Sequence, residues 1–345
     1  MKRRRIALIG LGMAVTPHAK SLLDLGDRAE VAFAMSPSAG RRQAFAARFP
    51  FPISDSVAAV AADASIDAVA ILTPPNTHLE IATGLAKAGK HILLEKPLEV
   101  ATERAEALVA ACRDAGVTLG VVLQHRFKPA AERLAAILRD GELGEVVNCS
   151  TSIRLWRPQS YYDEPGRGTR ARDGGGVLMT QGIHTLDLML SLAGPVVEVA
   201  GFARTTPVHR METEDLVCAA VRFASGAVGV IDATTAAYPG SPERIELIGT
   251  KGTAALAGTE LIVRFHDGRH EEVAADASPG GTGADPMAFP HDYHLAVWRD
   301  FLDAIDSGRP PRISGAEALA VHRLIDALLA AGTTGRSVMV RGMVR

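Results

Sequence analysis

One feature at the start of the chain restricts its fold more than any other. A short apolar run, Ile6-Ala7-Leu8-Ile9, meets Gly10-Leu11-Gly12 at once. An amphipathic stretch with His18, Ser21, Leu22 and Leu25 then runs to Gly26. This reads as strand, tight turn and helix. Two glycines let the backbone turn sharply and approach a pyrophosphate, which the positive end of the following helix favours. Val15 stands where the full G-x-G-x-x-G spacing has its third glycine. It implies wider helix–strand packing there, or a register shifted onto Ala14. Alone, the motif also fits an ordinary strand–helix turn; its weight comes from the alternation that follows.

The second strand is expected over 31–35. An acid at its end would grip the ribose 2′-hydroxyl of NAD. The chain instead has Ser36-Pro37-Ser38 and then Arg41-Arg42. Without the acid nothing repels a 2′-phosphate, and serine with arginine can bind one. The expected cofactor is therefore NAD or NADP, with a lean to NADP; alternatively the arginines solvate a helix face. A helix around 54–62 and a strand over 68–72 follow. Thr73-Pro74-Pro75-Asn76-Thr77-His78 is then a stiff turn in which Asn76 or Thr77 caps the next helix. The strand His91-Ile92-Leu93-Leu94 ends in Glu95-Lys96-Pro97. A lysine at the mouth of a buried strand is an odd structural choice. It makes sense with a nucleotide on one side and a substrate hydroxyl on the other. A helix over 102–115 and a strand over 118–123 complete a parallel sheet covered on both faces.

Near Gln124 the pattern changes, which sets the expected division at 1–123 and 124–345. A helix over 129–140 precedes a β stretch over 145–156 and a polar, aromatic loop over 157–173. Gly174-Gly175-Gly176 opens an apolar helix to about Leu192, on which Thr180, His184 and Asp187 share a face. Asp187 is the partner a purely structural His184 would use. From Val196 short strands joined by turns such as Ser225-Gly226 and Asp267-Gly268 imply an antiparallel sheet. A glycine-rich loop over 279–290 and two helices, over 291–307 and 314–331, close the chain.

Bulk properties narrow the function. The 345 residues are 47% hydrophobic and 22% charged with a formal net charge of −2, so nothing draws the chain to nucleic acid or anionic membrane. The basic start, Lys2 to Arg5, leads straight into a strand, and no apolar window reaches the length of a membrane helix. Cys112, Cys149 and Cys218 show neither metal spacing nor a paired framework. No metal ligand is assigned, and a reducing cytoplasmic compartment is expected.

Together these pieces resemble the Gfo/Idh/MocA family, named for glucose–fructose oxidoreductase, inositol dehydrogenase and a rhizopine-catabolism protein. The resemblance is carried by Gly10-Leu11-Gly12 with His18, Thr73 to His78, Glu95-Lys96-Pro97, Gly174-Gly175-Gly176, Gly182-Ile183-His184-Thr185-Leu186-Asp187 and Ser314-Gly315. It implies an N-terminal Rossmann domain and a C-terminal α/β domain with a large, mainly antiparallel open sheet that makes homodimer or homotetramer contacts. It also implies an NAD(P)-dependent dehydrogenase moving hydride between nicotinamide and a carbinol carbon of a sugar, polyol or nucleotide sugar. Cofactor contacts are expected from Gly10, Gly12, Met13, Ala14, Ser36, Arg41, Thr73, Pro74, Asn76, His78, Glu95 and Lys96. Lys96, His184 and Thr180 are the expected catalytic group. Arg157, Tyr161, Tyr162 and His294 join them as substrate contacts. Many members have an aspartate where this chain has Thr180, which hydrogen-bonds but holds no charge. Two rival readings share the fold: a glycoside hydrolase with a recycling NAD, and a sensor without chemistry.

Overall fold

The computed structural model describes residues 3–275 and 290–342. Lys2 and, but for Pro290, the glycine-rich loop lie outside the described residues. Two compact units result: Met1–Gln124 with Pro290–Leu319, and His125–Phe289 with Ala320–Arg345. The expected division was contiguous. The segment Pro290–Leu319 instead returns to the first unit, where Val121 N–H donates to the Ile313 carbonyl at 3.0 Å.

In the first unit strands and helices alternate. They are β1 (Arg4–Ile9), α1 (Val15–Asp24), β2 (Ala29–Met35), α2 (Ala39–Ala46), β3 (Ile53–Ser54), α3 (Val57–Ala62), β4 (Ala68–Ile71), α4 (His78–Lys87), β5 (His91–Glu95), α5 (Thr102–Asp114) and β6 (Leu119–Val122). The six strands are parallel in the order β3-β2-β1-β4-β5-β6. Chain order reverses between β1 and β4, the switch point at which such sheets open a ligand crevice beyond the strands' carboxyl ends. Ile6 to Ile9, Ala68 to Ile71 and Ile92 to Leu94 are buried. Burial of each large apolar side chain contributes about 1.5–3 kcal/mol, which fixes the register of this sheet.

Two local expectations need correction, and a third resolves an alternative. Ser54 ends a short strand rather than starting a helix; Ser56 caps α3 through the Ala59 N–H at 3.2 Å. Neither Asn76 nor Thr77 caps α4. The Thr77 hydroxyl turns back to Thr73 Oγ1 and the Pro74 carbonyl, each at 2.8 Å, because Pro74 and Pro75 force a tight 3-10 turn first. The two arginines belong to a short helix, α2, in which only Phe45 is buried.

The second unit comprises α6 (Pro129–Arg139), β7 (Val146–Arg154), α7 (Gln159–Tyr162), α8 (Arg170–Asp173), α9 (Ile183–Ala193), β8 (Val196–Arg204), β9 (Leu216–Phe223), β10 (Val228–Thr234), β11 (Arg244–Gly249), β12 (Gly252–Ala257), β13 (Glu260–Phe265) and β14 (His270–Val273). After the undescribed segment come α10 (Asp292–Ser307) in the first unit, α11 (Gly315–Thr334), and β15 (Val338–Met339) in the second. Nine strands form one sheet, β14-β13-β12-β11-β7-β10-β9-β8-β15. Every pairing is antiparallel except β10 with β7. The glycines of the two expected turns, Gly226 and Gly268, have φ of 94° and 90° and join β9 to β10 and β13 to β14. Each strand alternates buried and exposed residues, so one face packs inward.

Candidate active site

In the first unit three loops leave neighbouring strands at the carboxyl edge, after β1, β4 and β5. Gly10 has φ of 104°, and a Cβ there would lie 2.8 Å from the Leu72 carbonyl, so glycine is required by the chain itself. Gly12 differs. Its φ is not positive, and a Cβ would meet nothing within 4 Å. Neither backbone strain nor packing within the chain explains glycine at 12, and the space beside it is open. Met13 beside it is 57% exposed, and Ala14 is the N-cap of α1, which has no acid in its first turn to neutralise its positive end. Val15 is buried as the first residue of α1. The pyrophosphate of a dinucleotide fits this cradle.

The loop after β2 is shaped by Arg42, which donates to the Ser36 carbonyl at 2.7 Å and the Pro37 carbonyl at 3.1 Å. Ser36 is buried, and its Oγ accepts the Ser38 N–H at 3.3 Å. Arg41 is exposed, and among the described residues none pairs with its guanidinium. After β4, Thr73, Pro74 and Asn76 form the loop, with Pro74 and Asn76 exposed. His78 is fully buried. One ring nitrogen faces the Thr73 carbonyl at 2.9 Å, the other the Pro97 and Leu98 carbonyls at 3.1 Å. It ties the β4 loop to the β5 loop from inside. Burial holds its pKa below the ordinary histidine value.

Glu95 ends β5. Its Oε1 accepts from His18 Nε2 at 3.0 Å and its Oε2 from the Lys96 N–H at 3.1 Å. Burial works against its charge most strongly, but the hydrogen bond from His18 and the other polar groups around it, Lys96 among them, hold its pKa low. His294 lies in this unit, 4.0 Å from Glu95 Oε1, and is buried. Desolvation, with His18 beside it, pushes its pKa down to about 3. His18, Glu95 and His294 offer ligand atoms within 4.8 Å of one another, as a metal site would. The Trp298 indole N–H, 3.1 Å from His18 Nδ1, keeps the imidazole proton on Nε2, the nitrogen that would have to ligate.

In the second unit the glycine triplet has local causes. Gly174 ends α8 at φ of 77°, and a Cβ on Gly176 would overlap the Glu214 carbonyl. The buried Glu214 carboxyl accepts the N–H groups of Gly176 and Leu178, and burial raises its pKa. A π-helical turn, Leu178–Gly182, leads into α9. Near its start, His184 packs against the His125 ring, centroids 4.9 Å apart. Asp187, one turn further on, has a cation as its partner. Arg126 grips it in a two-point ion pair at 2.7 and 2.6 Å, with Asp187 fully buried.

Thr180 donates to the Gly176 carbonyl at 2.7 Å and also lies against the Gln181 amide. Gln181 contacts the Tyr161 hydroxyl at 3.3 Å, which accepts from Arg167 at 2.8 Å. Donors and acceptors balance when the Gln181 amide nitrogen faces Thr180, giving one direction from Arg167 through Tyr161, Gln181 and Thr180 to Gly176. Arg157 is buried, with Nη1 on the Trp156 carbonyl at 2.8 Å. Tyr162 is buried too, and its hydroxyl donates to Thr235 at 2.8 Å; burial raises its pKa. Both face interior partners. Sequence reading overlooked Arg126, His125, Gln181, Glu214 and Trp298. Only Asp187 signalled one of them, since an acid on an apolar helix requires a cation.

A glycine turn with outside room, at the switch point of a parallel sheet, defines a dinucleotide-dependent enzyme. Comparison with known proteins agrees. Residues 4–123 match the model of an oxidoreductase family with an NAD-binding Rossmann fold, and residues 131–255 match the GFO/IDH/MocA C-terminal domain. The chain belongs to the Gfo/Idh/MocA family and is an NAD(P)-dependent oxidoreductase, in preference to a glycoside hydrolase or a sensor. It is similar to the uncharacterized oxidoreductase YrbE of Bacillus subtilis strain 168, 33% identical over 75% of this chain and 81% of that protein. The myo-inositol 2-dehydrogenase of Thermotoga maritima is 27% identical over 91% of each chain. Among solved structures, the WlbA dehydrogenase of Bordetella pertussis in complex with NADH and UDP-GlcNAcA has a TM-score of 0.83 at 28% identity, over 98% of this chain and 99% of that one. Among the described residues no helix is long and apolar enough to cross a membrane.

Proposed function

We propose that this oxidoreductase acts on a CH–OH group of a sugar, polyol or nucleotide sugar, with His184 taking the hydroxyl proton and Lys96 polarising the reacting oxygen. The observation that carries the reading is the carboxyl edge of the first sheet. Room is kept at Gly12, two strands away Lys96 follows β5, and a buried carboxylate fixes its N–H. A bound nicotinamide supplies the hydride acceptor. Gly10, Gly12, Met13 and Ala14 would hold its pyrophosphate, and Thr73, Pro74 and Asn76 would border it. Imidazole titrates near neutrality, which suits His184 as base. A lysine ammonium stabilises the negative charge that develops on the substrate oxygen. Thr180, which carries no charge, shapes the site with Gln181 and Tyr161. The inositol dehydrogenase and WlbA relatives support a polyhydroxylated substrate.

The preferred cofactor is NADP. Arg42 is held by its own loop, which leaves Arg41 for a 2′-phosphate. The protein is a homo-oligomer joined through the open face of the large sheet. Phe202, Val228, Val230 and Ile248 are exposed there, while the opposite face is buried. Cys112, Cys149 and Cys218 are unpaired, which fits the cytoplasm.

The test supplies purified protein with free sugars, polyols and nucleotide sugars, each with NAD+ or NADP+, and follows the near-ultraviolet absorbance of the reduced cofactor. The expected result is reduction with one substrate class, faster with NADP+. A flat trace throughout, with release of sugar from a glycoside, would overturn the reading.

A further inference from the structure

The first unit contains a chain of hydrogen bonds that runs from α10 through α1 to the end of β5. Trp298 on α10, with no exposed surface, donates its indole N–H to Nδ1 of His18 on α1 at 3.1 Å. The lone pair at Nδ1 places the imidazole proton on Nε2, which donates to Glu95 Oε1 at 3.0 Å. Glu95 Oε2 then accepts the Lys96 N–H at 3.1 Å.

Lys96 needs such a partner. The ladder between β5 and β6 ends with Glu95 opposite Val122, so the next N–H has left the sheet. Its acceptor is the buried carboxylate of the preceding residue, whose other oxygen takes the His18 hydrogen bond. With the proton moved to Nδ1, His18 would turn a lone pair toward the carboxylate and a hydrogen toward the Trp298 N–H; both contacts repel. Glu95 and Trp298 thus demand the same tautomer, and the Trp298 N–H holds the ring in the orientation that grips Glu95. A buried charge held by two buried polar rings is a costly way to fill a core, and apolar side chains would fill it as well. The arrangement makes sense if it aims one residue.

We propose that His18 is a positioning residue for Lys96, acting through Glu95, with Trp298 holding its ring in place through Nδ1. The inference rests on the assignment of Lys96 made above. Loosening the chain lets the end of β5 wander, and misplacement of a reacting group by about an ångström costs up to about a hundredfold in rate.

The test uses the full chain as His18→Leu, His18→Gln and Trp298→Phe, each alone and combined with Lys96→Ala. It follows reduction of NAD+ or NADP+ by whichever carbohydrate of the panel the unmodified enzyme oxidises fastest. His18→Leu and Trp298→Phe should lower kcat about tenfold or more while the Kd for the reduced cofactor moves less than about twofold. His18→Gln keeps a donor for Glu95 and an acceptor for Trp298, and should restore kcat to within about threefold. In the Lys96→Ala background His18→Leu should cause no further loss, because residues acting through one another are non-additive. Nitrogen-15 NMR should show His18 protonated on Nε2 with a hydrogen-bonded Nδ1 in the unmodified protein, and loss of the Nδ1 hydrogen-bond shift in Trp298→Phe. If His18→Leu does not fold, Trp298→Phe, which keeps the ring packing, carries the test. Additive losses in the double variant, or full kcat in Trp298→Phe although the Nδ1 hydrogen-bond shift is lost, would overturn the proposal. Full kcat in Lys96→Ala would instead remove the assignment beneath it, an outcome distinct from full kcat in His18→Leu beside a crippled Lys96→Ala.

Discussion

The histidine packed beside His18 makes stability depend on pH in a defined direction. His294 is buried and its pKa is pushed down to about 3. In the unfolded chain an imidazole titrates near about 6.5. The folded state therefore keeps His294 neutral over a range where the unfolded state binds a proton. Its contribution is complete above about pH 6.5 and is lost as pH falls from there toward about 3. Between pH 7 and pH 5 the unfolded state gains about 2 kcal/mol from protonating this one group. His294→Phe keeps a ring against His18 and removes the titration. Urea unfolding should be followed by Trp298 fluorescence in a Trp156→Phe background, so that the signal comes from the first unit; these are the chain's only tryptophans. His78 and His91, whose pKa values burial also lowers, are common to both proteins and cancel. The parent should lose about 2 kcal/mol more than His294→Phe between pH 7 and pH 5. A gap between the two proteins that stays constant with pH would refute the reasoning.

Other substitutions test the site piece by piece. Gly12→Ala should leave the melting temperature almost unchanged but weaken NADPH binding at least tenfold, because its Cβ meets nothing of the chain; Gly10→Ala, at φ of 104° against the Leu72 carbonyl, should lower stability by about 1–3 kcal/mol. Calorimetric titration and thermal melts separate the two. Asp187→Ala leaves Arg126 half of a buried ion pair and should cost about 3–5 kcal/mol by urea denaturation. Arg41→Asp should reverse the preference between NADP+ and NAD+ in steady-state kinetics, by about tenfold or more.

Much of the first sheet was legible because each strand is a short apolar run bounded by turn residues, and the alternation with helices admits little but a parallel sheet. The hairpins of the second sheet were legible for the same local reason, through Gly226 and Gly268. The short strand β3 was not, since two residues leave no periodic pattern and Ser54 reads as a helix start. The return of residues 290–319 to the first unit has no local signal at all. The site divides in the same way. Gly10, Gly12, Lys96 and His184 stand in recognisable runs. The Trp298–His18 contact joins residues 280 positions apart, and Arg126 reaches Asp187 across 61. Such pairs depend on packing, which one sequence does not display. His78 shows the reverse error: its place in a ligand-bordering run suggested cofactor contact, whereas its ring is turned inward to three carbonyls.

The central claim is that Lys96 acts on the substrate oxygen at the edge where the nucleotide binds. Comparing Lys96→Ala with the unmodified protein, in both kcat and Kd for the reduced cofactor, tests it most directly. The account predicts that kcat falls by about two to four orders of magnitude while cofactor affinity changes less than about tenfold. Unchanged turnover, or a loss confined to cofactor binding, would contradict it.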